Sequence, residues 1–124
     1  MKKELLSLIV PCYNEEQSLS SFIRETLTVL QTIENLEGEI IFIDDGSSDG
    51  TLRIIRELRE KHPCVRYISF SRNFGKESAI LAGMQAARGD YAAVMDADLQ
   101  DPPALLPEML KVIREEGYDC VGTR

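Results

Sequence analysis

Asp96 and Asp98 stand one residue apart, directly after the apolar run Tyr91 to Met95. Carboxylates at that spacing can face one hard cation, and oxygen donors suit Mg²⁺ or Mn²⁺ rather than a thiolate-seeking metal. Gln100, two residues further on, offers a neutral oxygen as a third ligand. A cation held there would neutralise an anionic group such as a diphosphate. The competing explanation is a turn whose acids cap the next helix. Asp101, followed by Pro102, already fits that description, which leaves Asp96 and Asp98 for chemistry.

A second acidic pair, Asp44 and Asp45, ends the apolar run Ile40 to Ile43. Acids at strand ends can accept hydrogen bonds from a base N–H or from ribose hydroxyls. A turn and helix cap explain Ser47, Ser48 and Asp49 well, and two adjacent acids less well. Which of Asp44 and Asp45 makes the direct contact stays open. In the segment Pro11 to Glu16, Tyr13 can lie against a base, while Glu15 and Glu16 suit the start of a helix. In Ser71 to Lys76, Gly75 permits close backbone approach, and Arg72 or Lys76 can meet a phosphate. Solvated surface charge explains Arg72 equally well. His62, between Lys61 and Pro63, reads as a surface residue. There is no Gly-x-Ser-x-Gly elbow, and no Gly-rich phosphate fingerprint follows the first apolar run.

The elements that must hold these residues alternate regularly. Strands are expected at Leu5 to Val10, Ile40 to Ile43, Val65 to Phe70, Tyr91 to Met95 and Tyr118 to Val121. Between them, apolar positions at helical spacing predict an amphipathic helix over Glu15 to Ile33. A second helix carries Leu52, Ile55 and Leu58 behind a Ser48 or Asp49 cap. Lys76 to Ala87 is nearly all apolar and predicts a buried helix. A fourth helix, capped by Asp101, would bury Leu105, Leu106, Met109, Leu110 and Ile113. Such alternation implies an α/β fold with right-handed crossovers and a mainly parallel sheet covered on both faces. Every polar segment named above then emerges at the carboxyl edge of the sheet, where open α/β folds bind ligands.

The chain has 124 residues, the size of one domain, and 1–124 reads as a single unit. A hydrophobic fraction of 44% suffices for a packed core, and no repeat or low-complexity stretch interrupts it. The net charge of −7 opposes binding to nucleic acid or to an anionic membrane surface. An acidic chain that binds an anion needs a local remedy, which a divalent cation would supply. Cys12, Cys64 and Cys120 have no metal-ligand spacing and read as reduced thiols of a cytoplasmic protein. No apolar run approaches the ~18 residues of a membrane span, and Glu4 and Ser7 break any signal peptide.

At four of these segments the sequence resembles glycosyltransferase family two, in its polyprenyl-phosphate branch, which includes the dolichol-phosphate mannosyltransferases and bactoprenol glucosyltransferases. The matching blocks are Ile9-Val10-Pro11-Cys12-Tyr13-Asn14-Glu15-Glu16, Ile43-Asp44-Asp45-Gly46-Ser47-Ser48-Asp49-Gly50-Thr51, Phe70-Ser71-Arg72-Asn73-Phe74-Gly75-Lys76 and Met95-Asp96-Ala97-Asp98-Leu99-Gln100-Asp101-Pro102-Pro103. The resemblance implies a GT-A (Rossmann-like) fold, a nucleotide-diphosphate sugar donor, inversion at the anomeric carbon, and Mg²⁺ or Mn²⁺ on Asp96, Asp98 and Gln100. It also implies nucleotide contacts around Pro11, Tyr13, Glu15 and Asp45. Residues and resemblance together nominate Pro11, Tyr13, Asn14, Glu15, Asp44, Asp45, Gly75, Lys76 and Asp96 for the donor nucleotide. Asp98 would act in catalysis through the metal.

Family members continue past this length, through an acceptor-binding segment and often membrane helices. The chain therefore reads as a truncated piece without the general base or the polyprenyl phosphate site. The full-length parent is expected at the cytoplasmic face of a membrane. Apolar surface left bare beside Val121 favours self-association into a homo-oligomer. A family-two enzyme acting on a saccharide hydroxyl is the main alternative. A receiver-type phosphoacceptor domain would want an acidic pair after the first strand and an isolated Asp after the third; here the first loop is Pro11 to Glu16 and the third carries Asn73 and Lys76. A nucleotidyltransferase would want a Gly-rich first loop.

Overall fold

The computed structural model describes residues 3–98, 106–108, 110–111 and 120–122. Continuous apolar runs make the inner strands, β1 (Glu4–Cys12) and β2 (Leu36–Asp44), and both are buried along most of their length. β3 (Val65–Ser69) is fully buried only at Val65, as befits an edge strand, and β4 (Tyr91–Val94) and β5 (Cys120–Gly122) complete the sheet. The order is β3-β2-β1-β4-β5, and every described pairing is parallel.

Side chains alternate across the sheet, so one set of strand residues serves each face. Leu8, Val10, Ile40 and Phe42 share a core with α1 (Leu19–Gln31) and α2 (Thr51–Lys61) through Leu19, Phe22, Ile23, Ile55 and Leu58. Phe22 meets Phe42 edge to face at 6.1 Å. On the opposite face, Ile9, Ile41, Ile43 and Val94 pack against Ala79 of α3 (Lys76–Ala86). A Cβ on Gly83 would lie 2.5 Å from Ile9 Cγ2 and 2.9 Å from Ile43 Cδ1. The glycine therefore sets how close α3 comes to the sheet. The expected α/β architecture, with a parallel sheet covered on both faces, is present.

The chain works outward from β1 to β3 and then returns to place β4 on the other side of β1. The carboxyl end of the β1/β4 pair is thus the topological switch point.

The amino half of the sheet is tied by a buried carboxylate. Glu39 Oε2 accepts from Ser7 Oγ at 2.5 Å and from the Arg88 amide at 2.7 Å, and Arg66 Nη1 lies 2.9 Å from Oε1. Gly89 N donates to Ser7 Oγ, so the turn before β4 is anchored to the same node. Burial opposes ionisation of Glu39. The Ser7 hydroxyl, the Arg88 amide and Arg66 outweigh it and hold the carboxyl below its usual range.

Several local expectations need correction. α1 starts at Leu19, not Glu15, because residues 13–18 form turns around Asn14, whose φ is 53°. The α2 cap position is Gly50, with no side-chain cap bond. Asp49, one residue earlier, instead accepts from both Thr51 N and Thr51 Oγ1. α3 is not buried all round: it lies on the sheet by Ala79 and Gly83, leaving Leu81 58% and Met84 42% exposed. His62 closes α2 and is partly buried. Of the expected fourth helix, residues 106–108 and 110–111 are helical and Leu106 and Leu110 are buried. Asp101, Pro102, Leu105, Met109 and Ile113 lie outside the described residues, as does the side chain of Val121. Among the described residues, no helix is long and apolar enough to cross a membrane.

Candidate functional site

Three loops meet at the switch point because their own polar groups bind one another. Asn14 tolerates its left-handed backbone and turns its side-chain Oδ1 to accept from Ser48 N at 2.8 Å and Asp49 N at 3.3 Å. Its own N–H donates to Ser47 Oγ at 2.9 Å. Glu15 N donates to Thr51 Oγ1, and Glu16 Oε2 accepts from Gly50 N, both at 2.8 Å. The loop after β1 is thus fastened to the loop after β2.

Asp45 fastens the second loop to the third. Its carboxylate accepts from Phe74 N at 2.7 Å, Gly75 N at 3.0 Å and Asn73 Nδ2 at 3.2 Å. Gly46 makes this approach possible: its φ is +72°, and a Cβ there would lie 2.3 Å from the Arg72 carbonyl carbon. Asp44 is buried and accepts from Ser47 N at 3.2 Å, shaping the turn. In the third loop the Phe74 ring meets Phe70 edge to face, and the Arg72 guanidinium lies 4.7 Å from its centroid.

Between the loops lies a cleft of about 270 Å³ lined by Pro11, Cys12, Tyr13, Glu15, Asp45, Lys76, Asp96 and Asp98. Of the nominated residues, Pro11, Tyr13, Glu15, Asp45, Lys76, Asp96 and Asp98 come together there. Asn14, Asp44 and Gly75 do not line it. Asn14 and Asp44 bond within the supporting loops, and Gly75 caps α3 at φ +103° with open space where a Cβ would point. Gln100 lies outside the described residues. A neighbouring cleft, about 410 Å³, shares Glu15 and Asp98 as a wall and adds Asn14, Glu16, Gln17, Ser18 and Asp49. Gly46 and Asn73, which hold loops two and three together, are not among the residues nominated from sequence. A glycine immediately after the acid pair was the available signal for the first; Asn73 carried none.

The cleft is electrostatically negative. The Glu15 carboxyl is pushed up by burial, and further by Asp98, Asp96 and Asp49, against the opposing Ser18 hydrogen bond. The Cys12 thiol is driven well up by burial and then by Glu15, Asp44 and Asp96. Both causes oppose the thiolate form on which nucleophilic chemistry depends. Lys76 Nζ stands 2.8 Å from Asp96 Oδ1. Among the described residues, no three His, Cys, Asp or Glu side chains gather into a ready-made metal cage. Mg²⁺ seldom needs one, since it is commonly held by one or two carboxylates together with substrate phosphates. Asp96 and Asp98, both facing the cleft, fit that pattern.

The sequence model of Glycosyl transferase family 2 matches residues 7–124. The putative glycosyltransferase CsbB of Bacillus subtilis is 50% identical over 121 residues, covering 98% of this chain and 36% of that protein. The undecaprenyl-phosphate 4-deoxy-4-formamido-L-arabinose transferase of Proteus mirabilis is 42% identical over 122 residues, covering 96% and 36%. This chain thus spans about a third of the length of these relatives. Among solved structures, S. aureus TarS 1–349 superposes with a TM-score of 0.72 at 25% identity, over 94% of this chain and 33% of that one. A Pyrobaculum calidifontis mannosyltransferase, solved with GDP-Man and Mn²⁺, shares the fold with a TM-score of 0.74 at 23% identity, over 93% and 33%. With the family pattern matched from β1 to the last residue and the GT-A architecture beneath it, the chain belongs to glycosyltransferase family 2.

Proposed function

We propose that this chain is the nucleotide-sugar-binding part of an inverting glycosyltransferase that moves a sugar from a nucleotide-diphosphate donor to a polyprenyl phosphate. The observation that carries the reading is the convergence of Tyr13, Asp45, Lys76, Asp96 and Asp98 on one cleft at the switch point. The names of the undecaprenyl-phosphate transferases among its relatives support the acceptor class.

In this reading Tyr13, 48% exposed at the cleft mouth, offers its ring to the base. Pro11 and Glu15 line the same end of the site, and Asp45 keeps the third loop in place so that Lys76 can reach the diphosphate. Asp96 and Asp98, with Gln100, would hold a Mg²⁺ or Mn²⁺ ion, which offsets charge developing on the leaving diphosphate when bound. A polyprenyl phosphate is already anionic and asks less of a general base than an alcohol does, so none is assigned here. The acceptor site and the base fall to sequence beyond the third of the relatives' length matched here. We place this unit in the cytoplasm and the longer protein at the cytoplasmic face of the membrane.

The test uses labelled UDP- and GDP-sugars, Mg²⁺ and a short-chain polyprenyl phosphate. Residues 1–124 are expected to bind donor without transfer, and a protein of the relatives' full length containing them to transfer. Alignment of two reactants is worth about 7–11 kcal/mol of barrier, so turnover without the acceptor site should be undetectable. Transfer by residues 1–124 at a rate near the longer protein's would overturn this division of labour.

A further inference from the structure

Glu15, Asp45, Asp96 and Asp98 face the cleft, and Lys76 is the one cation among its described lining residues. Asp45 spends its oxygens on the third loop. The Lys76 ammonium sits on Asp96, at 2.8 Å from Oδ1. That oxygen belongs to a carboxylate that a divalent ion would also need. An ammonium and a dication cannot both stand against it without strong like-charge repulsion.

The side chain of Lys76 is free to leave, because it is 55% exposed on a flexible four-carbon stem. Its backbone is not. Gly75 N is held by Asp45 Oδ2, and Ala79 N donates to Gly75 O, so the start of α3 stays fixed while the ammonium moves.

Resting on the nucleotide-binding reading above, we propose that Lys76 is a cation placeholder: it holds Asp96 while no metal is bound, and yields that oxygen to a divalent ion when a nucleoside diphosphate arrives to receive the ammonium. Metal alone must displace Lys76 with nothing to offer it in return. Metal and diphosphate together give the ammonium a new partner. The two ligands therefore bind cooperatively, and by linkage each strengthens the other by the same factor.

The test is a Mn²⁺ titration followed by electron paramagnetic resonance, with and without UDP or GDP, on the wild type, Lys76→Met and Lys61→Met. Lys61 ends α2 at the opposite edge of the sheet and controls for bulk charge. Lys76→Met should bind Mn²⁺ alone about fivefold more tightly or better, and should lose most of the metal–nucleotide coupling, itself about 5–150-fold in typical systems. Nucleotide affinity at saturating Mn²⁺ should fall about tenfold, while Lys61→Met matches the wild type. A merely structural role would weaken both ligands together. Mn²⁺ affinity unchanged or weakened in Lys76→Met, or no Mn²⁺ binding in either protein, overturns the placeholder. A wild type that binds Mn²⁺ but no nucleotide removes the functional reading itself, and the placeholder with it.

Discussion

Glu39 and Asp96 are carboxylates on one sheet, and their surroundings differ in kind. Glu39, in the amino half, is 4% exposed and receives a hydroxyl, an amide and a guanidinium, with Arg88 Nη2 a further 3.4 Å away. Asp96, at the carboxyl edge, opens onto a cleft with Glu15 and Asp98 and meets one ammonium on a half-exposed side chain. The first arrangement spends its charge inside the fold. The second leaves its charge at an open cleft, where the proposed function would put a ligand.

Glu39→Ala should have the largest effect on stability. Removing one partner of a buried ion pair typically costs about 3–5 kcal/mol, and the exposure of Arg88 places this change near the lower end. Urea unfolding should show about 3 kcal/mol lost, with nucleotide affinity of the folded fraction unchanged; a loss under about 1 kcal/mol would make the node incidental. Its pH dependence sharpens the point. The folded Glu39 is held below its unfolded value, near 4.3, so its contribution is complete above that pH and fades as pH falls through the folded value. Glu39→Gln should flatten that part of the stability profile.

Asp98→Asn should do the reverse. Asp98 is exposed and borders both clefts. The substitution should weaken metal-dependent nucleotide binding at least tenfold, about 1.4 kcal/mol, and leave the melting temperature nearly unchanged. Normal binding, or simple unfolding, would remove Asp98 from the site.

How much of this was legible in sequence follows from the range of each interaction. β1 and β2 are buried on both faces, so their apolar runs announce themselves, and the acids that end the runs fall at the carboxyl edge by topology alone. α3 misled because uniform apolar composition says nothing about which side meets the sheet; only the contact of Gly83 with Ile9 and Ile43 decides that. The start of α1 was misplaced because bonds from Asn14 and Glu16 to residues 34 to 35 positions away hold the segment in turns. The Glu39 node was invisible for the same reason, since Ser7, Arg66 and Arg88 lie 27 to 49 positions from it. Of the cleft, the acids and Lys76 were readable from type and place; Asp45 as the clasp of a third loop was not.

In the proposed function, the charge left at the carboxyl edge serves a metal-bound nucleoside diphosphate. Calorimetric titration of the protein with UDP and with GDP, in Mg²⁺ or Mn²⁺ and again after chelation, tests it most directly. At least one nucleotide should bind with metal, with at least a tenfold loss of affinity, about 1.4 kcal/mol, without it. Equal affinity under chelation would contradict it.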